Sequence, residues 1–266
     1  MRVNTVLQSL LVLLFMWNVV GLRAQSYCID SACQQYKENK TAKTTSKNLN
    51  ESTIRQIANE VTVEVISEGR KYGSGVIIAL YESRYTVMTN EHVVFAGESI
   101  KIVTHDGEIH NVNKLDIDNP EGLDLAILQF TSDNRYFVAD YKASLNNLAA
   151  GDTVYAAGYP AEADSSGSPK FTFISGQIEM LSDAFIEGGY QIGANLELDR
   201  GMSGGPLFNT RGEVVGINGM HSYPLWGNPY VFIDGTTPSE EARAQMEQYS
   251  WSVPSSLLFQ LLTSTE

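Results

Sequence analysis

From Val61 onward, apolar and polar residues alternate at every second position. Val61-Thr62-Val63-Glu64-Val65-Ile66 is alternating and β-branched, which suits a half-buried strand. The same period predicts strands over 72–80, 84–89, 99–104, 108–115 and 124–130. After a connecting stretch at 145–151, a second series is predicted at 153–158, 171–180, 189–198, 204–208 and 213–218, with a last short strand at 251–254. Helices are few. Residues 52–60 predict a short helix leading into the first strand. Thr237-Pro238-Ser239-Glu240 predicts a helix start, with Thr237 as N-cap, running to about Tyr249. Ser255 to Leu262, with Leu257, Leu258, Leu261 and Leu262 on one face, predicts a terminal helix packed on the body. Short strands, Gly-rich turns and no repeated helix–strand alternation give an all-β chain built as barrels.

The first sixty residues follow other rules. Met1 to Ala24 has a basic start at Arg2, an apolar run over Leu10–Val20 broken by Asn18, and a small residue, Ala24, where a signal peptidase can cut. The run is short for a membrane span. The segment therefore reads as a secretory signal, with no stable span after its removal and a secreted or periplasmic product. Residues 25–55 form a polar tether. It holds both cysteines, Cys28 and Cys33, which can close a small loop in an oxidising compartment, and Asn39 and Asn50 match the glycosylation acceptor pattern. The expected organisation is thus signal 1–24, tether 25–55, a first barrel over 56–145, and a second over 146–266 with a helical insertion near 237–249. A formal charge of −13 over 266 residues disfavours nucleic acid as a partner, and 43% apolar content is enough for a sizeable core.

Candidate chemistry concentrates in Asp199-Arg200-Gly201-Met202-Ser203-Gly204-Gly205-Pro206-Leu207. Glycines around a serine allow a tight turn that aims the Gly201 and Ser203 N–H groups at one point, where a tetrahedral oxyanion would sit. A serine hydroxyl attacks a carbonyl when a base and an orienting acid stand behind it. His92 lies at the end of an apolar strand, where a barrel presents side chains to a cleft. His105 and His110 flank the Asp106-Gly107 turn and read as solvated, and His221 falls in a loop. Asp124 sits among Leu123, Leu125 and Ala126, where a carboxylate needs a partner to be buried, and a histidine Nδ1–H meets that need. Asp116 and Asp118 are rival acids in a loop with no reason for burial. Pro120 and Glu121 break any calcium-loop pattern there. No metal and no cofactor is expected.

Thr89-Asn90-Glu91-His92-Val93-Val94, then Leu123-Asp124-Leu125-Ala126, then Gly201-Met202-Ser203-Gly204-Gly205-Pro206 resembles the trypsin-like serine proteases. It is most similar to the bacterial Deg/HtrA-like branch and to small cyanobacterial trypsin-like peptidases. The resemblance covers roughly Val61 to Leu262. It implies two six-stranded antiparallel barrels with the active site in the cleft between them, His92 and Asp124 from the first and Ser203 from the second. It implies an endopeptidase acting on polypeptide substrates through an acyl-enzyme. In that scheme His92 moves the proton, Asp124 orients His92, and the Gly201 and Ser203 N–H groups form the oxyanion hole.

The chain departs from the family pattern at Met202, where the digestive members carry an aspartate that pairs with a freed N-terminus. Activation by that salt bridge is not expected. The C-terminal peptide-binding domain common among Deg/HtrA proteins is not expected after Leu262. For the primary pocket the resemblance points to Glu197 and Leu198 before the nucleophile and to Asn218 and Gly219 on the strand 214–219. Glu197 also fits the solvent-facing position of the alternation Leu196-Glu197-Leu198. Tyr223, Trp226, Tyr230 and Phe232 are candidates for packing or for a substrate rim. The alternative from another functional class is a catalytically silent binding protein on the same fold. An esterase read from Gly201-x-Ser203-x-Gly205 fits poorly, because that elbow belongs between a strand and a helix.

Overall fold

The computed structural model describes residues 48–67, 71–94, 99–117, 119, 122–141, 148–161, 170–223 and 228–257. The signal segment, most of the tether with Cys28, Cys33 and Asn39, and also Asp118, Pro120, Glu121, Trp226, Leu258, Leu261 and Leu262, lie outside the described residues.

Helix α1 (Glu51–Val61) starts at Asn50, whose side chain accepts the Thr53 N–H at 2.9 Å. Its apolar stripe of Ile54, Ala58 and Val61 is buried. The chain turns directly into β1 (Thr62–Ser67), β2 (Lys71–Tyr81) and β3 (Arg84–Thr89), then a single helical turn, α2 (Glu91–Val94). β4 (Ile100–Val103), β5 (Ile109–Asn111), β6 (Asn113–Lys114) and β7 (Ala126–Thr131) complete a seven-stranded antiparallel sheet in the order β5-β4-β1-β2-β3-β7-β6. Its two edges belong to one stretch of chain. β5 pairs with β4, β6 pairs with β7, and only Val112 separates β5 from β6. Taken as one strand bent at Val112, residues 109–114 join both edges and make the sheet a six-stranded barrel.

The second barrel is closed, in the order β10-β13-β12-β11-β8-β9. Its strands are β8 (Thr153–Gly158), β9 (Thr172–Ile186), β10 (Tyr190–Ala194), β11 (Pro206–Asn209), β12 (Val214–Met220) and β13 (Ser250–Pro254), with α3 (Glu240–Met246) between the last two. Each barrel has its own filling, Val63, Val65, Ile77, Val87 and Leu128 in the first and Val154, Ala156, Ile192 and Leu207 in the second. A third cluster joins them, holding Ile54, Ala58 and Val61 of α1 together with Val76 and Met88 of the first barrel and Phe208, Val214 and Trp251 of the second. Burying side chains of this size contributes roughly 2 kcal/mol each.

Several boundaries differ from the sequence expectation. α3 begins at Glu240, because the Ser239 hydroxyl accepts the Ala242 N–H at 3.2 Å and so takes the N-cap position expected of Thr237. The helix also stops at Met246, short of Tyr249. β9 runs on to Ile186, where it pairs with Tyr190, and β10 ends at Ala194, because at Asn195 the side chain rather than the backbone carbonyl accepts the Gln177 N–H. His110 is buried rather than solvated, as the pleat of β5 turns it inward against Phe130 and Tyr136 and turns Ile109 to solvent. Its partner across the turn, His105, meets Glu60 at 3.1 Å. Among the described residues no helix is long and apolar enough to cross a membrane.

Candidate active site

β3 carries the chain from the first barrel to its rim and stops at Thr89. Asn90 follows, fully buried, and its side-chain amide donates to the Asp124 carbonyl at 2.7 Å. That bond brings two segments 34 positions apart to one place. α2 then lifts His92 to the surface, with its side chain 48% exposed. Asp124 lies two residues ahead of β7, not inside it, and its N–H donates to the Gly188 carbonyl of the second barrel at 2.8 Å.

The carboxylate holds His92 twice. Oδ1 accepts the His92 backbone N–H at 2.9 Å and Oδ2 meets Nδ1 at 2.7 Å. A carboxylate can only accept, so Nδ1 carries the proton, and in the neutral ring Nε2 keeps its lone pair. The Tyr190 hydroxyl donates to the same Oδ2. Burial pushes the Asp124 carboxyl up, but the hydrogen bond and charge of His92, then the Tyr190 hydroxyl, outweigh it and hold the group below the usual carboxylate range. Burial, followed by the Asp124 charge, pushes Tyr190 well above the ordinary phenol range, so Tyr190 remains a donor.

The serine end is built from backbone. Gly201 has φ +99°, and a Cβ there would come within 2.6 Å of the Tyr159 carbonyl oxygen. The Arg200 carbonyl accepts the Ala161 N–H at 2.6 Å, and peptide planarity turns the Gly201 N–H the opposite way. Gly204, at φ +86°, lies against β2 so closely that a Cβ would collide with the Ser74 carbonyl and the Thr89 hydroxyl. Its N–H donates to Asn218 at 2.7 Å. Among the described residues neither the Gly201 nor the Ser203 N–H donates to another backbone carbonyl.

Ser74, on the first barrel, fastens this turn. Its N–H donates to the Ser203 carbonyl at 2.7 Å and its hydroxyl to the Gly201 carbonyl at 2.7 Å, while the hydroxyl oxygen accepts the Tyr159 N–H at 2.8 Å. The Ser203 hydroxyl donates to the Gly219 carbonyl at 3.3 Å. A hydroxyl has one proton, so this geometry does not also donate it to His92.

The residues expected to line a primary pocket are spread out. Glu197 is exposed and borders an open groove of about 590 Å³ with Glu179, Ser222 and Tyr223. Leu198 is half-buried against the second core, and its carbonyl meets His221 Nδ1 at 2.8 Å. The Asn218 side chain is fully buried, donating to the Pro206 carbonyl and accepting from Ser252. Gly219 contributes the carbonyl that holds Ser203. Tyr223 is exposed at φ +48°, Tyr230 is fully buried and Phe232 packs on the shared core. Among the described residues no group of three or more His, Cys, Asp or Glu is placed to hold a metal.

Two residues with evident roles here were not singled out by the sequence. Ser74 carried a signal, since Gly73-Ser74-Gly75 is a small-residue interruption of an apolar strand and such interruptions mark close backbone approach. Tyr190 carried none, because its contact with Asp124 spans 66 positions.

The architecture has known counterparts. A family model described as a trypsin-like peptidase domain matches residues 73–217. The serine protease Do-like HtrA of Bacillus subtilis (strain 168) is 34% identical over 151 residues, 56% of this chain and 33% of its own length. A probable periplasmic serine endoprotease, DegP-like, of Brucella suis biovar 1 is 32% identical over 178 residues, 66% of this chain and 32% of its own length. The chain thus spans about a third of the length of these relatives. The crystal structure of the serine endoprotease from Yersinia pestis aligns with a TM-score of 0.59 at 23% identity, covering 82% of this chain and 67% of that one, which shows a shared fold. With more than half of its residues matched by the family model, the chain belongs to the trypsin-like peptidase family.

Proposed function

We propose that this chain is a secreted or periplasmic serine endopeptidase that cleaves polypeptides through an acyl-enzyme. The observation that carries the reading is the double grip of Asp124 on His92, which holds the Nδ1 proton toward the acid and directs Nε2, the basic nitrogen of the neutral ring, away from it. Ser203 attacks the scissile carbonyl after its hydroxyl leaves Gly219, and its proton passes to His92 Nε2. The tetrahedral oxyanion takes the N–H groups of Gly201 and Ser203. One such donor is worth ~3 kcal/mol of barrier. His92 then protonates the leaving amine, Asp124 stabilises the imidazolium, and water repeats the sequence on the acyl-enzyme. Glu197, Leu198, Asn218 and Gly219 are assigned to substrate binding, Asn218 through its backbone, since its side chain is engaged in the barrel. The DegP-like relatives named periplasmic and the N-terminal signal segment support export.

A second reading, a silent binding protein on the same fold, is favoured by one feature, the Ser203 hydroxyl bonded to Gly219 rather than His92. A fluorophosphonate probe separates the two. The endopeptidase reading expects covalent labelling of the folded chain, none in Ser203→Ala, and a labelling rate lowered roughly 10⁴-fold in Asp124→Asn. A folded chain that does not label favours the binding protein.

A further inference from the structure

The hairpin between β9 and β10 reaches from the second barrel to the acid of the first. Gly188 takes the Asp124 backbone N–H at 2.8 Å, and two residues on, the Tyr190 hydroxyl donates to Asp124 Oδ2. Tyr190 is only 6% exposed. The tip of its ring also packs on Gly219, so closely that a Cβ at 219 would collide with the hydroxyl. Gly219 is the residue whose carbonyl receives the Ser203 hydroxyl. One phenol thus lies between the acid and the serine, on the barrel that supplies the serine. Among the described residues, His92 and Tyr190 are the titratable groups whose side chains meet the Asp124 carboxylate.

We propose that Tyr190 is a positioning residue that sets how strongly Asp124 supports His92. Resting on the endopeptidase reading above, the inference assigns a regulator of basicity to the opposite barrel. A donor on Oδ2 draws carboxylate charge toward the phenol and away from Nδ1. It also fixes the plane of the carboxylate, so that Oδ1 and Oδ2 meet the His92 N–H and Nδ1 together. Removal of the hydroxyl leaves more charge facing the ring, favours its protonated form, and loosens its orientation. Burial and the neighbouring carboxylate both oppose ionisation of the phenol, so it donates throughout the working range of pH.

The test compares the wild-type chain with Tyr190→Phe, which keeps the ring, by the fluorophosphonate labelling rate as a function of pH. The expected result is a roughly tenfold lower plateau and an acid limb moved up by about one pH unit. A folded Tyr190→Phe chain whose acid limb stays in place overturns the proposal, because a merely structural contact would lower the rate without moving the limb. Site-specific 3-fluorotyrosine at 190 retains the hydrogen bond with a more acidic phenol, and guards against a Phe variant that does not fold. It is expected to move the limb to lower pH, and no movement or the opposite sign overturns the proposal. If the wild-type chain does not label, the endopeptidase reading fails separately. The Nδ1–H resonance of His92, followed by NMR through the same pH range in the same three proteins, still tests the assignment. Displacements in the two opposite directions support it, and coincident titrations overturn it.

Discussion

On the endopeptidase reading the candidate site has an acid–base end and a nucleophile end, and the two are held in different ways. At the acid–base end side chains make all but one of the contacts described, with Asp124 meeting His92 twice and Tyr190 once and Asn90 tying the Asp124 backbone, beside the backbone bond from Asp124 to Gly188. At the nucleophile end what is gripped is backbone, by Ser74 on the Gly201 and Ser203 carbonyls and the Tyr159 N–H and by the Asn218 side chain on the Pro206 carbonyl. The first arrangement depends on which groups are present. The second depends equally on groups that are missing, since Gly201 and Gly204 approach other main-chain atoms more closely than any Cβ allows. Substitutions at the acid–base end should therefore act on rate and pH dependence. Substitutions at the nucleophile end should act on stability and rate together.

The sharpest way to break this contrast is Gly204→Ala. The added methyl meets the Ser74 carbonyl and the Thr89 hydroxyl, at a φ of +86° that a side chain rarely adopts. Backbone oxygen held in a strand cannot yield, and a destabilisation of about 4 kcal/mol is expected, read as a fall in the urea midpoint together with loss of labelling. If Gly204→Ala loses labelling while retaining its midpoint, the nucleophile end is not a packing device.

Ser74→Ala comes next. It leaves the Gly201 carbonyl and the Tyr159 N–H without their partner in a buried place. A loss of about 3 kcal/mol is expected, with the acid limb of the pH profile unchanged. A shift of that limb would show that the two ends are coupled through more than geometry.

The smallest effect is expected at Glu64, which is 7% exposed and stands opposite Ser74 in the β1–β2 register. Burial pushes its carboxyl above the usual range. Its charged form is therefore disfavoured in the folded state. The penalty grows as pH rises above the unfolded value of ~4.3 and disappears below it. Glu64→Gln is expected to raise the melting temperature at pH 7 and to lose that gain near pH 4. An equal gain at both pH values would place the effect in packing rather than charge.

The difference between the two ends also explains what could be read in the sequence. Alternation located the strands because one face of each is buried, and the short motifs singled out His92, Asp124 and Ser203 as candidates, of which the structure brings His92 and Asp124 into contact. The orientation of His110 was not legible. Glu108-Ile109-His110-Asn111-Val112 offers an apolar residue to one face of the strand and an aromatic ring to the other, and only the Phe130 and Tyr136 rings waiting inside decide between them. Likewise Thr237 and Ser239 are both good caps, and the choice depends on where the chain leaves the body. Ser74 and Tyr190 act across 127 and 66 positions; the small residues around Ser74 mark a close approach without naming its partner, and no local pattern records the contact of Tyr190.

The clasp of Ser74 on the Gly201 turn has a further consequence in time. A contact between positions 74 and 201 closes only after both barrels have formed and met, so it belongs to the last steps of folding. During synthesis the first barrel emerges long before the second. On the endopeptidase reading, a nascent or half-folded copy holds the serine without the scaffold that arms it. On that reading the serine is armed only once its own body has no unfolded segment left to be cut.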